Sequence, residues 1–471
     1  MRPRFLPLLA LVLFTVTAPA ARGEDAFVIK PYLQLGDAPA STTGDLALLW
    51  GGADRETAWS VDYQVPPEST WKKAEAKVFR RIASPVVPAH RLYRATFDGL
   101  PPGVDFRYRV LNGADVVFEA AAKSRKSADQ PYRFIAVGDI AQGSGAQKEI
   151  AARMVLEKPD FLMVTGDIVY GRGLVSEYRD RYWPVYNADQ TAPDVGGPLL
   201  RSTLTLAAPG NHDIGSRNFD RSPDSLGYFL YWDQPLNGPK DGPYTLPMTG
   251  NEAHQKAFLD AAGPSYPRMA NFSFDYGNAH WLVLDANPYV DWRDSGLRDW
   301  VANDLAAAKG ATWRFVSFHH PGFNSSKAHF EQQEMRLIAD LLEAGKVDVV
   351  FNGHVHNYQR SFPLRFIADR DSDGKMVRTR DLVPGTWTLD KTFDGKNRTR
   401  PDGVIYLVTG AGGAGLYNPE QQDKPETWQS FTDKFISKRH SITVADVSGP
   451  NLTVRQVAAD GSELDRFEIK K

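Results

Sequence analysis

The chain has 471 residues, 42% of them hydrophobic, enough for two or three domains and a large buried interior. Its 55 lysines and arginines nearly balance 57 aspartates and glutamates, which excludes a nucleic-acid or anionic-membrane footprint at the level of net charge. There is no cysteine, so disulfides and thiolate ligands are excluded and any metal site must use nitrogen and oxygen donors.

At the N-terminus, Arg2 and Arg4 precede an apolar stretch over 5–16 and small residues over 18–23. This reads as a cleaved secretory signal over 1–23, because the stretch is shorter than the roughly 20 apolar residues of a spanning helix. An exported protein, periplasmic or extracellular and without a membrane span, is expected; its oligomeric state stays open. Residues 27–127 predict an all-β sandwich, since β-type runs at 46–50, 59–65, 90–97, 106–110 and 116–121 alternate with turn signals and no helical period. The segment over 92–110, which turns at Asp98-Gly99-Leu100-Pro101-Pro102-Gly103, resembles the corner of a fibronectin type III domain.

From 128 to 471 the pattern changes. Continuous apolar runs at 134–137, 161–165, 203–207, 281–284, 314–318, 347–351 and 404–408 predict strands covered on both faces. Helical stretches are predicted over 147–157, 297–308 and 331–343. The alternation implies an α/β layered domain with mixed sheets, for which a single doubly wound sheet is one option. The tail over 441–470 returns to β alternation and is expected to add strands to that domain.

Five short polar motifs punctuate this region. They are Gly138-Asp139, Gly166-Asp167-Ile168-Val169-Tyr170, Gly210-Asn211-His212-Asp213, Phe318-His319 and Gly353-His354-Val355-His356, and four of the five directly follow an apolar run. Ligands of open α/β sheets gather beyond the carboxyl ends of strands. A glycine there lets the chain turn without a Cβ clash, so the next side chain can enter a common crevice. Asp139, Asp167, Tyr170, Asn211, His319, His354 and His356 are therefore candidate ligands for a pair of metal ions, and two-metal hydrolysis of a small phosphate ester is the leading expectation.

As a set these motifs resemble those of the purple acid phosphatases, a branch of the metallophosphoesterases, and the likeness runs from the sandwich to the C-terminal strands. The resemblance implies that Asp139, Tyr170 and His356 hold Fe(III), that Asn211, His319 and His354 hold a divalent ion (Zn, Fe(II) or Mn), and that Asp167 bridges both. The residue types agree with this, because a hard trivalent ion prefers anionic oxygen whereas imidazole and amide oxygen suit a divalent first-row metal. Most of the wider superfamily has histidine two residues after the first aspartate; here that residue is Ala141, and the resemblance implies that Tyr170 supplies the missing donor. The resemblance further implies that His212 faces the phosphate, oriented by Asp213, and that His329 protonates the leaving group, a task suited to a near-neutral pKa. Two departures are Ala141 where the family usually has glycine, and Ala328 where plant members often carry a second histidine.

The implied function is a secreted acid phosphatase that cleaves phosphomonoesters by in-line attack of metal-activated hydroxide. A metallophosphodiesterase or nucleotide hydrolase is one alternative, and a noncatalytic metal-containing surface binder is another. His320 either lines the site or supports the loop before Pro321, while His90, His254, His280 and His440 read as surface or core residues. Asp369-Arg370-Asp371-Ser372-Asp373-Gly374 starts like a calcium loop, but Arg380 stands at its twelfth position, which favours a solvated loop. The glycine-rich run over 410–415 lacks a P-loop ending and is expected to be a tight turn near the crevice. The aromatic insertions, with Tyr178, Tyr182, Trp183, Tyr186, Tyr228, Phe229, Tyr231 and Trp232, either form a lid or pack against the body.

Overall fold

The N-terminal part folds into two four-stranded antiparallel sheets in this computed structural model, which describes residues 26–38, 44–240 and 242–471. The signal expected over 1–23 lies outside those residues. One sheet orders Ile29–Gln34, Leu46–Ala53, Val87–Phe97 and Lys77–Ser84, and the other Lys72–Ala74, Trp59–Gln64, Asp105–Asn112 and Asp115–Lys123. All five predicted strands are present, joined by three not foreseen: Ile29–Gln34, Lys72–Ala74 and Lys77–Ser84. Lys77–Ser84 was hidden because its burial is irregular and its pairing with Val87–Phe97 is bulged. The anticipated corner forms at residue 98, whose carbonyl accepts the Tyr63 hydroxyl at 2.8 Å.

Leu46–Ala53 is buried on both faces. Leu46, Leu48 and Trp50 point into the sandwich, while Ala47 and Leu49 join Ile29, Tyr32 and Ile82 in a second core shared with the following domain. The aromatic insertions fill that junction: Tyr178, Tyr182, Trp183, Tyr186, Tyr228, Phe229, Tyr231 and Trp232 are all buried in it. They pack the body and do not form a lid. Polar anchors cross the same boundary: Tyr32 donates to the Tyr231 carbonyl at 2.7 Å, and the buried Arg80 guanidinium donates to the Phe229 carbonyl and to Ser265 Oγ.

The α/β part is built on two mixed sheets and not on a single doubly wound one. The first orders Leu204–Ala207, Phe161–Val164, Tyr132–Val137, Ser441–Ser448, Asn451–Ala458 and Glu463–Lys470; its first three strands are parallel and the C-terminal tail completes it antiparallel, as expected. The second has a parallel centre of Ala279–Leu284, Trp313–Phe318, Val349–Asn352 and Ile405–Thr409, with antiparallel strands at both edges. Aromatic rings lock the two sheets face to face, with Phe134 5.0 Å from Trp281 and 5.6 Å from Phe351. Helices Gly145–Glu157 and Ser295–Ala307 stand where the helical period placed them.

The helix predicted over 331–343 is shorter and broken. A 3₁₀ turn, Glu334–Ile338, leads into an α-helix only at Ala339–Ala344. Hydrogen bonds to distant loops override the local period: Gln333 N–H donates to the Asp381 carbonyl at 2.8 Å and Arg336 Nε to the Gly322 carbonyl at 2.6 Å. Among the described residues no helix is long and apolar enough to cross a membrane.

Candidate metal centre

All seven candidate ligands meet where the two sheets present the carboxyl ends of their parallel strands. Asp139 follows Tyr132–Val137, Asp167 follows Phe161–Val164, His319 directly continues Trp313–Phe318, and His354 follows Val349–Asn352. Asp139, Asp167 and His354 hold left-handed backbone, with φ of 63°, 52° and 68°, a conformation that L-residues adopt rarely and that clusters at functional sites. Two glycines make the convergence possible. A Cβ on Gly166, whose φ is +96°, would sit 2.5 Å from His319 Nδ1, and one on Gly353 would sit 2.8 Å from Asp139 Oδ2.

One grouping gathers on Tyr170. Its hydroxyl lies 2.9 Å from both Asp139 Oδ1 and His356 Nε2, which are themselves 3.3 Å apart. The other gathers on His319, whose Nε2 is 3.1 Å from Asn211 Oδ1 and 3.2 Å from Asp167 Oδ1. Donor atoms of Asp167, His319 and His354 all fall within 4.8 Å of one another. Asp167 thus stands against the second grouping, with its Oδ1 further tied to His212 N–H at 2.9 Å.

The histidines are set in defined tautomers by what lies behind them. His319 Nδ1 faces the Thr165 carbonyl at 2.9 Å and His356 Nδ1 the Gly415 carbonyl at 2.7 Å. A carbonyl only accepts, so each Nδ1 carries a proton, and each Nε2 would offer a lone pair to a cation that displaces its own proton. In His354 it is Nε2 that meets a side chain, donating to Gln332 Oε1 at 2.5 Å, which leaves the lone pair on Nδ1. Burial lowers the basicity of His319, yet Asp167 outweighs it and holds the pKa up at about 9; the site favours positive charge. Burial, then Asp139, hold the Tyr170 phenol well above its ordinary range, so its phenolate needs a strong cation beside it.

His212 is anchored through Nδ1 to the Gly171 carbonyl at 2.9 Å, and its Nε2 is 4.0 Å from Asp167 Oδ2. The expectation that Asp213 orients it does not hold. The buried Asp213 carboxylate instead accepts N–H bonds from Ile168 at 3.0 Å, Val169 at 3.3 Å and Gly210 at 2.8 Å, bracing two ligand loops against each other. His329 is half-buried with its ring 4.0 Å from that of His354. His320 is buried against His354 at 4.2 Å between centroids, and its Nδ1 has no partner.

Tyr417 and Gln332 were not anticipated. Tyr417 stacks on His356 at 4.0 Å between centroids, and it comes from an irregular loop whose sequence carries no periodic or motif signal. The glycine-rich turn lies at the crevice as expected, with Ala414 N–H on the Asp139 carbonyl at 3.0 Å. The Asp369–Gly374 segment is an exposed turn in which Asp371 Oδ1 accepts from Asp373 and Lys375 N–H. His90, His254 and His280 are bonded respectively to Tyr231, Phe219, and Asp275 with Asp304, whereas His440 faces the Ala411 carbonyl of the glycine-rich turn.

Residues 132–358 match the family model of the calcineurin-like phosphoesterases. The chain is 25% identical over 296 residues to purple acid phosphatase 23 of Arabidopsis thaliana, covering 57% of each protein. It is 23% identical over 356 residues to purple acid phosphatase 13 of the same plant, covering 71% of this chain and 56% of that protein. It therefore spans little more than half the length of these relatives. In fold it matches the solved purple acid phosphatase PPD1 from yellow lupin seeds, with a TM-score of 0.60 at 17% identity over 93% of this chain and 74% of that one. Residues 132–358 thus form a calcineurin-like phosphoesterase domain, and the chain that carries it is a homologue of the purple acid phosphatases.

Proposed function

We propose that this chain is a secreted acid phosphatase that hydrolyses phosphomonoesters at a binuclear metal centre. The observation that carries the reading is the pair of donor groupings, one on Tyr170 and one on His319. Asp139, Tyr170 and His356 would hold Fe(III), Asn211, His319 and His354 would hold a divalent ion (Zn, Fe(II) or Mn), and Asp167 would serve both. The donors fit: two hard anionic oxygens stand in the first set, and imidazoles with an amide oxygen in the second. When bound, such a pair supplies Lewis acidity that neutralises phosphoryl charge and makes water a nucleophile near neutral pH.

The chain's own groups do the rest. His212, pinned at Nδ1, presents Nε2 to the crevice, where its protonated form donates to a phosphoryl oxygen. His329 is placed at the rim beside His354, where an imidazolium can hand its proton to the departing alkoxide oxygen. Asp213 holds the Asp167 and Asn211 loops in register. Export rests on residues 1–23, and secretion into medium or periplasm is read by N-terminal sequencing of the mature protein.

The test joins spectroscopy to turnover. Metal-replete protein should bind about two metal equivalents, show a visible phenolate-to-Fe(III) band that Tyr170→Phe abolishes, and cleave p-nitrophenyl phosphate at least tenfold faster than bis(p-nitrophenyl) phosphate, a gap of about 1.4 kcal/mol. A band untouched by Tyr170→Phe sinks the iron assignment. Faster diester cleavage transfers the reading to a phosphodiesterase, and replete protein without any hydrolysis transfers it to a noncatalytic binder.

A further inference from the structure

A cavity of about 620 Å³ opens beside His329, lined by none of the seven candidate ligands but bordered by Gln332 and His329, which both touch His354. Its size lies within the roughly 300–1,000 Å³ of small-molecule sites. Because His329 stands at both the crevice and the cavity wall, whatever leaves the phosphorus on the His329 side must occupy this space. The lining therefore reads the alcohol, not the phosphate.

Most of the residues that line it carry polar side chains, although their methylene stems and Phe330 leave about half of the wall apolar. Besides the His329 imidazole its one aromatic ring is Phe330, and its other charged side chains are Lys327, Glu331 and Asp381, a net of one negative once His329 has passed on its proton. Lys327 Nζ is already 3.4 Å from Glu420. The Glu331 carboxylate has no ion pair among the described residues, and Asp381 shares Arg378, at 3.5 Å, with Glu334, to whose carboxyl it is also hydrogen-bonded. A second phosphate on the leaving group would meet two carboxylates and one compromised ammonium, a like-charge arrangement that discriminates strongly. An apolar alcohol would cover the amides and carboxylates of the wall without replacing their hydrogen bonds to water, which a hydroxylated alcohol can do.

What the wall does offer is neutral donors and acceptors. Gln332 spends its Oε1 on His354, which leaves its NH₂ group to donate. Gln429 engages Ser325 and Thr432 through its backbone only, which leaves the whole carboxamide. Resting on the phosphatase reading above, we infer that this cavity is the leaving-group subsite and selects uncharged, hydroxyl-rich alcohols, so that the preferred substrates are monophosphates of sugars or polyols. Gln429 and Gln332 read hydroxyls, and Glu331 with Asp381 rejects a second phosphate.

The experiment compares kcat/KM of the metal-replete full chain for glucose 6-phosphate, fructose 1,6-bisphosphate, AMP, ADP and p-nitrophenyl phosphate. Glucose 6-phosphate should exceed fructose 1,6-bisphosphate and ADP by about tenfold or more, the weight of one charge-assisted contact. Gln429→Leu should cut the ratio of glucose 6-phosphate to p-nitrophenyl phosphate several-fold. Glu331→Lys should move the ratio of bisphosphate to monophosphate the other way, upward. Both side chains are at least partly exposed, so the variants are expected to fold, which their melting temperatures check. Ratios that neither variant moves, or a wild-type preference for ADP, AMP or the bisphosphate, overturn the inference while leaving the phosphatase reading intact. Absence of turnover on every ester defeats both.

Discussion

Asp213 shows what a motif can conceal. It follows His212 in sequence, but the two sit on the short helix Asn211–Ile214, and adjacent helical residues diverge by about 100° and do not face each other. Its carboxylate therefore turns inward to three N–H groups of the ligand loops, while a carbonyl takes over the anchoring of His212. Asp213→Ala leaves those buried donors unpaired, at roughly 1–3 kcal/mol each for the donors that water cannot reach. The expected outcome is a urea midpoint lowered by a few kcal/mol of stability, together with reduced metal stoichiometry. Full metal content and unchanged stability, with only the pH–rate profile displaced, would restore Asp213 as a partner of His212. The candidate ligands were legible because each lies in a contiguous motif at or just beyond a strand end. Tyr417 and Gln332 were not, because stacking and second-layer hydrogen bonds leave no spacing rule in a loop.

Elements read well where burial and period agree, and badly where a distant partner decides. The parallel strands were visible as unbroken apolar runs, whereas Phe272–Tyr276 was missed because it is a hairpin edge with polar positions. His280, on the partner strand Ala279–Leu284, explains part of that edge: its Nδ1 meets Asp275 at 2.8 Å and its Nε2 meets Asp304 of helix Ser295–Ala307, also at 2.8 Å. Burial opposes its protonation, but the two carboxylates win and raise the pKa from 6.5 to about 9. The folded state therefore binds the proton more tightly than the unfolded one. The stabilisation is full below about pH 6.5 and is lost as pH rises through 9. In His280→Gln, unfolding free energy should lose up to about 3 kcal/mol at pH 6 and much less near pH 10, so the wild-type decline between those values flattens. Urea titrations of both proteins across that range check it; parallel curves would mean that the ion pairs contribute nothing net.

At the scale of the whole molecule, sequence reading separated a sandwich from an α/β region but could not show how tightly they join, because the same apolar residues serve either a private core or a shared one. The second core decides this. Tyr32, Leu49, Ile82 and Leu92 of the sandwich are continuous with Tyr178, Trp183, Phe229 and Tyr231 of the α/β part, and Arg80 crosses the junction fully buried onto the Phe229 carbonyl and Ser265. Exposing that face would return a large apolar surface to water at about 25 cal/mol per Å², so neither part gains by opening alone. The full chain should unfold in urea as one transition, with fluorescence and activity lost at the same midpoint. Leu49→Ala, some distance in sequence from every candidate ligand, removes buried methyl groups at the junction and should cost about 2–5 kcal/mol. If the parts are coupled, that loss shifts the activity midpoint and the fluorescence midpoint together. Two separated transitions, with activity persisting after the sandwich has melted, would show instead that the shared core does not bind the two parts into one cooperative unit.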